Sequence, residues 1–405
     1  MTLDRTTLTA LRTEAAAQLP DVVALRHSLH RVPELGLRLP TTQRMVLDAL
    51  DGLDLEITTG TALDSVVAVL RGGRPGPAVL LRGDMDALPV TEDTGEEFTS
   101  QRTGVMHACG HDLHVAGLVG AARLLAARRA DLPGAVVLMF QPGEEGDGGA
   151  RIMIEEGVLD AAGPRVVGAY ALHVMASLVP VGGLVSRPGP ILAAADEVRI
   201  TVLGRGGHGS MPHLAADPVP VAAELVLGLQ AMVTRQFDVF DPVVLSVGRL
   251  EAGTVNNVIP DTATIAATVR SFSTVSRARA EESIRRLCEH VAAAHGMTAR
   301  VEWLAGYPVT INDPLEFDRA SELARGLVGD AGFAVAPQPI PGSEDFSYVL
   351  EQVPGAFLGL GATPRGVDPA TAPYNHSPQA RFDDTALAVG PAILAALAMD
   401  RLAQG

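Results

Sequence analysis

Three histidines and a cysteine lie within nine residues, in the segment 106–114 (MHACGHDLH). Imidazole and thiolate are ligands that zinc and related transition metals prefer. Cys109 and His111 flank Gly110, and a glycine between them lets both side chains turn toward one point. The segment therefore predicts a metal site, and with it an enzyme. The other ligands should lie at strand ends elsewhere in the chain.

The composition narrows the class of protein. The 405-residue chain has a formal net charge of −16, which argues against nucleic acid and against an anionic membrane surface as partners. It contains no lysine, so pyridoxal enzymes, P-loop NTPases and protein kinases, which each need one, are excluded. The two cysteines make no disulfide framework, and we expect no apolar run long enough to span a bilayer. A cytoplasmic protein is predicted.

Hydrophobic periodicity predicts an α/β core with a smaller domain inserted into it. In the first half of the chain, short buried strands alternate with helices, as in a mostly parallel sheet with helices on both faces. Between residues 188 and 302 the strands alternate apolar and polar residues, which is typical of a half-exposed antiparallel sheet. We therefore expect an α/β catalytic domain over residues 1–187 and 303–405 and an inserted α+β domain over 188–302.

The individual elements follow from the same patterns. The predicted strands are 65–70, 78–81, 135–140, 166–174, 197–203, 243–250, 262–271 and 356–360. The predicted helices are 2–30, 112–129, 150–156, 217–234, 276–295, 315–328 and 384–402.

Acids and histidines follow several of these strands or lie in polar loops. They are Asp84, Asp86, Glu144, Glu145, His173 and His376. In an open α/β sheet, ligands gather at the carboxyl ends of the strands, so these residues have a common edge at which to meet. Such a set exceeds the needs of one tetrahedral ion and suggests two metals about 3.5–4 Å apart. In the adjacent glutamate pair, one carboxylate can bind metal while the other stays free as a general base.

Other interpretations compete with this one. Cys109 could be an inert buried thiol, or a nucleophile with a histidine as its base, although the paired glutamates would then be idle. His107 and His114 alone favour a structural role, and Cys288 on its amphipathic helix favours the core. Asp86 could cap a turn or orient a ligand histidine.

The glycine-rich segment 204–209 (GRGGHG) fits a dinucleotide-binding fingerprint and follows a predicted strand. No helix follows at once, however, and the preceding strand alternates instead of being buried on both faces. We therefore favour a loop that presents His208 over a dinucleotide site.

Taken together, several segments resemble one enzyme family. They are LRGDMDALP, GVMHACGHDLH, FQPGEEGDGGA, ALHV, GRGGHGSMPH, NNVIPD with TVRSF, GSEDFSY and NHSPQARFDD. They run in family order from about residue 30 to residue 384. The chain resembles the metal-dependent amidohydrolases that include hippurate hydrolases, aminoacylases and auxin-conjugate hydrolases, and that are related to the glutamate-releasing carboxypeptidases.

The resemblance implies two divalent metal ions per subunit, which could be zinc, manganese or nickel. By motif position the metal ligands are Cys109, His111, Glu145, His173 and His376. Glu144 corresponds to the general base, and Asp86 is grouped with it as a catalytic residue. The inserted domain is implied to be a lid that also mediates dimerisation. Its His208 would act in the partner's active site, and Asn257 and Arg270 would grip the substrate's carboxylate.

The reaction that these expectations describe is hydrolysis of the amide bond of an N-acyl amino acid, hippurate-like or N-acetyl, by a homodimer or a tetramer. One alternative is a metallo-carboxypeptidase or dipeptidase that acts on short peptides. Two others belong to different classes: an oxidoreductase that uses the glycine loop, and a catalytically silent relative that binds a metal or a partner. The intact Glu144 speaks against the silent relative, which would have no need of a free base.

Overall fold

The structure of the protein is a computed structural model, and it describes residues 3–404. Its chain divides into two compact units. Unit 1 contains the described residues up to Ile191, the segment Ile311–Gln338, and the described residues from Asp345 onward; unit 2 contains Leu192–Thr310 and Pro339–Glu344.

The helices and strands are numbered here in chain order. The α-helices are α1 (Arg5–Ala17), α2 (Leu19–Arg31), α3 (Pro40–Leu50), α4 (His111–Ala126), α5 (Gly149–Glu155), α6 (Pro218–Gln236), α7 (Thr274–Ala294), α8 (Pro314–Val328), α9 (Ser347–Leu350) and α10 (Gly390–Ala403). The strands are β1 (Glu56–Thr59), β2 (Val66–Arg71), β3 (Arg74–Asp84), β4 (Pro133–Gln141), β5 (Val166–Pro180), β6 (Leu184–Ser186), β7 (Gly189–Leu192), β8 (Ala194–Leu203), β9 (Gly207–His208), β10 (Val243–Ala252), β11 (Val258–Ile259), β12 (Thr262–Ser271), β13 (Thr298–Leu304), β14 (Thr310–Asn312), β15 (Phe333–Val335) and β16 (Gly355–Thr363).

Unit 1 is built on a large sheet whose strand order, in the described chain, is β1-β2-β4-β3-β5-β16-β6-β15. The four central strands form three parallel pairs: β4 with β3, β3 with β5, and β5 with β16. Antiparallel pairs occur toward the edges, where β1 pairs with β2, β2 with β4, and β6 with β16. The predicted α/β class with a mainly parallel sheet is confirmed.

Helices cover both faces of this sheet. A Cβ built on Gly83 of β3 would lie 2.9 Å from the carbonyl oxygen of His114, so α4 packs on the face toward which Gly83 points. The neighbouring Arg82 points to the opposite face, where it pairs with Asp345. Asp345 in turn accepts a hydrogen bond from the backbone N–H of Ala150 in α5. The parallel strands therefore lie between two helical layers.

Helix α4 is the central helix of unit 1, and it delivers the metal-binding segment. Its sequence, HDLHVAGLVGAARLLA, is apolar on almost every side, and nearly all of its residues are buried. A Cβ at Gly120 would come within 2.8 Å of Pro391 of α10, so this glycine permits close packing of the two helices. Because α4 is enclosed by protein, the position of its first residue, His111, is tightly fixed.

The prediction of one continuous helix over residues 2–30 is wrong, because the helix is interrupted near its middle. Residue 2 lies outside the described part of the chain. The structure has α1 and α2 separated at Gln18, whose backbone N–H closes the last turn of α1. Pro20 in the first turn of α2 lacks an N–H and cannot continue the hydrogen-bond ladder of α1. The helical periodicity is correct, but the proline starts a new helix.

The expectation that no apolar run could span a bilayer is also too simple. The segment Asp384–Ala403 is long and apolar enough to do so by length and composition alone. Its apolar stretch is, however, 78% buried inside the structure, as expected for the core helix of a globular unit.

Unit 2 contains a four-stranded antiparallel sheet in the order β10-β12-β8-β13, among the residues that the structure describes. Buried residues alternate along β8 and β12, and this buried face packs against α6 and α7. Cys288 of α7 is fully buried in that core, as predicted. Strand β13 runs two residues past 302, the expected end of the inserted domain, because Trp303 and Leu304 continue its pairing with β8.

A buried charge cluster ties α2 to the first turn of α4. The Nε of Arg26 donates to Oδ2 of Asp112 at 2.8 Å, and Nδ1 of His30 lies 2.8 Å from the same oxygen. The Nε2 of His30 is 3.2 Å from Glu92. Burial disfavours the imidazolium, but hydrogen bonds and charge from Asp112 and Glu92 outweigh burial and raise the pKa of His30 to about 9. His30 is therefore a cation at neutral pH.

We expect this cluster to make stability depend on pH above neutrality. A group whose pKa is raised on folding stabilises the protein fully below its unfolded pKa, here 6.5, and the contribution is lost as pH rises to about 9. The loss should be on the order of 3 kcal/mol. Urea unfolding at pH 6.5 and 9.5 measures it, and no lysine titrates in this window. His30→Gln should show a much smaller decrease; an equal decrease in both proteins would contradict the role of His30.

Candidate active site

The candidate site begins where the chain enters α4. Gly110 is the N-cap of this helix and has a left-handed backbone, with φ 82°. A Cβ at Gly110 would lie 2.3 Å from Cγ2 of Val174 and 3.0 Å from Cε1 of Phe382. Only glycine meets both requirements. As a result, Cys109 lies just before the helix and His111 is its first residue, with both side chains in the same buried region.

Two histidines from distant parts of unit 1 contact Cys109. Its Sγ lies 3.4 Å from Nε2 of His173 and 3.2 Å from Nε2 of His376. The Nδ1 of His173 is 2.8 Å from the carbonyl oxygen of Val174, to which it donates its proton. The Nε2 lone pair of His173 therefore points toward the sulfur, in the tautomer that a metal ligand needs.

Asn375 fixes the loop that carries His376, and sequence reasoning did not single it out. Its Nδ2 donates to the carbonyl oxygens of Cys109 at 3.2 Å and of Val174 at 3.0 Å, and its Oδ1 accepts the N–H of Ala176 at 2.9 Å. The next residue, His376, has a positive φ of 72°, which is unfavourable for a residue with a side chain. In the sequence, the only signal for Asn375 was its position directly before the candidate ligand His376 in the segment NHSPQARFDD.

The environment of Cys109 favours the thiolate. Burial raises the pKa of the thiol, but the charge of the nearby His173, together with hydrogen bonding to His173 and His376, outweighs burial. The pKa of Cys109 therefore lies well below its ordinary value. The thiolate is the form of cysteine that binds metal ions.

His111 is buried, and neither of its ring nitrogens has a hydrogen-bond partner among the described residues. Its Nε2 lies 3.5 Å from Asp84 and 3.8 Å from Glu145, and its Nδ1 lies 3.6 Å from Asp86. Burying polar atoms without hydrogen bonds is costly, and such atoms in a folded protein call for an explanation. A cation that accepts a lone pair of this imidazole and neutralises the adjacent carboxylates would provide one.

The potential ligand atoms form overlapping groups. In each group the atoms lie within 4.8 Å of one another; two such groups are Cys109 with His111 and His173, and Cys109 with Glu145 and His376. Cys109 belongs to both groups. A set that mixes thiolate, imidazole and carboxylate suits divalent transition metals. The structure thus brings together all the side chains that the sequence predicted as metal ligands, and their chemistry fits two such ions.

Asp86 holds the glutamate pair in place. The turn after β4 contains Gly143, which has φ 74°, followed by Glu144 and Glu145. The Oδ1 of Asp86 accepts the N–H of Glu144 at 2.9 Å, and its Oδ2 accepts the N–H of Glu145 at 3.0 Å. The Glu144 carboxylate is buried, within 4.8 Å of ligand atoms of His111 and Glu145. Asp86 therefore acts through the backbone of the glutamates and through its approach to His111.

A second buried network lies behind these residues. The Nε2 of His114 accepts the N–H of Val174 at 2.8 Å, so its proton is on Nδ1 and is donated to Asp84. Burial lowers the pKa of His114 to about 4, so the ring is neutral. Arg82 bonds both Asp84 and Asp345 in the interior. Asp345 was not among the sequence candidates, although it lies in the quoted segment GSEDFSY.

In unit 2 the pairing of β9 with β11 brings His208 and Asn257 together. His208 is opposite Val258, and the N–H of Gly209 donates to the carbonyl oxygen of Asn257 at 2.8 Å. Both His208 and Asn257 are exposed. The ring of His208 accepts the N–H of Ser210 at 3.2 Å through Nδ1.

Arg270 lies at the other end of the unit 2 sheet. It is opposite Ala195 on β8, whereas Thr262, next to the β9–β11 pair, is opposite Leu203. Eight residues of extended strand separate these positions by about 26 Å. Arg270 therefore lies at one end of this sheet, and the structure groups Asn257 with His208 near the other end.

Residues 80–400 match the model of the family described as Peptidase family M20/M25/M40. The chain belongs to this family. It is 36% identical over 382 residues to thermostable carboxypeptidase 1 of Saccharolobus solfataricus, covering 93% of this chain and 94% of that protein. It is also 36% identical over 380 residues to the N-acetylcysteine deacetylase of Bacillus subtilis, covering 93% of this chain and 96% of the relative.

A solved M20-family structure is similar over the same extent. It is the Bacillus subtilis protein YXEP, described as a dinuclear metal-binding peptidase, with a TM-score of 0.82 and 33% identity over 96% of this chain and 99% of that one. The two curated M20 relatives are named for hydrolysis of an amide bond. The predicted family resemblance is confirmed.

We expect Gly110→Ala to disturb this centre. The alanine would adopt an unfavourable positive φ and would also clash with Val174 and Phe382. Gly104→Ala is a matched control, because Gly104 has φ 78° but nothing within 4 Å of its Cβ position. The control should lose about 1 kcal/mol of unfolding free energy, and Gly110→Ala should lose more. Metal analysis after dialysis should show loss of divalent ions from Gly110→Ala alone; equal metal content and stability would contradict the packing argument.

Proposed function

We propose that this M20-family protein hydrolyses the amide bond of N-acyl amino acids, hippurate-like or N-acetyl, in a reaction that depends on two divalent metal ions. The observation that carries the proposal is the buried His111, whose unpaired nitrogens lie among carboxylates, next to a thiolate shared by two groups of potential ligands. The similarity to an N-acetylcysteine deacetylase supports the choice of an N-acyl substrate.

The residues that would hold the ions are those of the two ligand groups. Cys109, His111 and His173 form one group, and Cys109, Glu145 and His376 form the other. Bound divalent ions lower the pKa of water toward neutrality and polarise an amide carbonyl. Zinc, manganese and nickel all accept this mixture of ligands. Asn375 and Asp86 keep the ligand loops in place through their hydrogen bonds to the backbone.

Glu144 is the general base in this proposal. Its carboxylate is buried beside His111 and Glu145, and Asp86 fixes its backbone. It takes a proton from the attacking water as the new C–O bond forms, and gives that proton to the amide nitrogen as the C–N bond breaks. The products are a carboxylate and a free amino acid. Proton transfer of this kind contributes roughly 10²–10⁴-fold to the rate.

Unit 2 is proposed to complete the site in a homodimer. His208 would stabilise charge on the carbonyl oxygen from the partner subunit, and Asn257 would accompany it because the β9–β11 pair holds the two together. Arg270 would bind the substrate's carboxylate, since a guanidinium fork suits a carboxylate.

A carboxypeptidase or dipeptidase activity is the second candidate, favoured by the similarity to thermostable carboxypeptidase 1. Kinetics on N-acetyl and N-benzoyl amino acids, beside dipeptides with a free amino group, separate the two activities. We expect the N-acyl substrates to give the higher kcat/KM. Chelation should abolish the activity, and added metal should restore it. Full activity in excess chelator with inhibition by iodoacetamide would instead favour a cysteine nucleophile.

We expect Glu144→Gln to retain its divalent ions and to lose activity by about 10²–10⁴-fold, because the amide cannot accept the proton. Glu155→Gln is the control, since Glu155 is an exposed carboxylate on α5. Steady-state kinetics and metal analysis should be made on the same preparations. Near-normal turnover in Glu144→Gln would rule this residue out as the base.

We expect His208→Ala to reduce kcat by about 10²–10³-fold without changing metal content, while the exposed His213→Ala stays active. If His208 acts across the dimer, co-expression of His208→Ala with Glu144→Gln creates mixed dimers with one intact site. Such a preparation should recover about a quarter of wild-type activity for random pairing. Recovery to no more than the sum of the two separate variants would show that His208 does not act in the partner's site.

A further inference from the structure

Arg187, directly after β6, carries a guanidinium that the rest of the described chain leaves unpaired. Its Nε and Nη1 atoms are buried, and neither has a hydrogen-bond partner. Arginine cannot shed its proton to escape this cost, since its pKa is too high. Buried charges are ordinarily paired with an opposite charge. The arrangement therefore indicates an anion that is supplied from outside the chain.

The strand register places Arg187 on the face of the sheet that carries the metal centre. Gly359 of β16 is opposite both His173 of β5 and Val185 of β6. A Cβ on Gly359 would meet the side chains of both Val185 and Met175, which therefore share its face. Because side chains alternate along a strand, Met175 shares its face with His173. Arg187 follows the last residue of β6, and continuing the alternation by one residue puts it on the same face as Val185.

The same register gives an approximate distance between His173 and Arg187. Two strand spacings and two residues of rise put the Cα atoms of His173 and Arg187 about 12 Å apart. Phe357 lies between these strands, with its ring centroid 6.1 Å from that of His173. An arginine side chain that extends toward the metal centre is long enough to cover much of this distance, and its guanidinium would then be within reach of a small substrate held there.

The backbone at Arg187 is held rigidly. Asn312 donates through Nδ2 to the carbonyl oxygens of Arg187 at 2.9 Å and of Phe357 at 3.1 Å, and to Oγ of Ser186 at 3.0 Å. Its Oδ1 accepts the N–H of Phe357 at 2.7 Å. A charged group on such a fixed support is pre-organised for a ligand.

The other buried arginines of unit 1 are already neutralised. Arg26 pairs with Asp112 and Asp384, and Arg82 pairs with Asp84 and Asp345. In a chain with a net charge of −16, a half-buried arginine whose buried Nε and Nη1 atoms have no carboxylate partner is therefore a local exception.

We propose that Arg187 binds a carboxylate of the substrate and so positions the substrate at the metal centre. This inference rests on the proposed amidohydrolase function and deepens it, since it names an anionic substrate class for the same site. The carboxylate has two possible sources: the α-carboxylate of the amino acid, in which case Arg187 takes the role proposed above for Arg270, or a second carboxylate on the side chain of the amino acid.

Two matched pairs of compounds distinguish these sources. N-acetylmethionine and its amide differ in the α-carboxylate, and N-acetylglutamate and N-acetylglutamine differ in the side-chain carboxylate. One pair should respond, namely the pair that differs in the carboxylate that Arg187 binds. In that pair we expect Arg187→Gln to lower kcat/KM for the carboxylate member at least tenfold and to leave kcat/KM for the neutral member unchanged. Arg187→Lys should recover part of the loss. Arg44→Gln, at an exposed position on α3, is the control and should leave both ratios as in the wild type.

Thermal unfolding supplies a readout that does not need turnover. Without ligand, Arg187→Gln should be at least as stable as the wild type, because it removes a charged group whose buried Nε and Nη1 atoms have no partner. In a Glu144→Gln background the carboxylate compound should raise Tm, and this shift should disappear when Arg187→Gln is added. The shift can be measured even if the protein hydrolyses none of these compounds, so the failure of the proposed function is recognised separately.

Two results would overturn the proposal. One is that both kcat/KM ratios and both Tm shifts are unchanged in Arg187→Gln. The other is an equal loss for charged and neutral compounds together with a lower Tm, which would give Arg187 a purely structural role. If Arg187→Gln does not fold, the same comparison on Arg187→Lys decides, since loss of carboxylate preference is still expected from a changed guanidinium geometry.

Discussion

The burial of His111 without a hydrogen bond to either ring nitrogen is the constraint on which the rest of unit 1 depends. A divalent ion would accept a lone pair of this imidazole and would neutralise the acidic and thiolate groups around it. The close packing of α4 and the absence of a side chain at Gly110 determine where that imidazole lies. The hydrophobic core and the chemistry of the site are therefore two results of one arrangement.

Two buried arginines maintain the charge balance around this arrangement. Arg26 neutralises Asp112, the residue next to His111, and Arg82 neutralises Asp84, whose carboxylate approaches the His111 ring. Arginine suits these positions, because it stays charged where a buried lysine would lose its proton. A chain without lysine is thus well adapted to an interior that contains many carboxylates.

Much of the site could be predicted from sequence, because its ligands lie in short segments that follow buried strands. The parallel sheet then brings Glu145 and His173 to one edge, whatever the exact order of the strands. The sequence could not show the separation of Asn257 from Arg270, since that depends on the register of β12 against β8. Nor could it show that Arg187 is unpaired, because the partners of a buried charge depend on the whole fold.

The fold itself was predictable at the level of class and less so at the level of individual elements. Hydrophobic residues repeat every 2 residues in strands and every 3.6 residues in helices. Because these patterns depend only on the local sequence, they were sufficient to predict the long strands and helices. The division between α1 and α2 depends on Pro20, which a purely hydrophobic pattern ignores. The short edge strand β1 has no buried residue, so no alternation marks it. The extension of β13 beyond residue 302 depends on pairing with β8.

The left-handed backbone at His376 has a consequence for the long-term adaptation of this enzyme. A histidine there keeps a conformation that costs about 1–3 kcal/mol, and glycine or asparagine would relieve it. With His376 as a metal ligand, as proposed above, selection for heat resistance and selection for the proposed ligand set would oppose each other at this one loop position. Thermotolerant descendants of this chain should be reached through substitutions in the helices and the outer strands, with the imidazole at residue 376 retained.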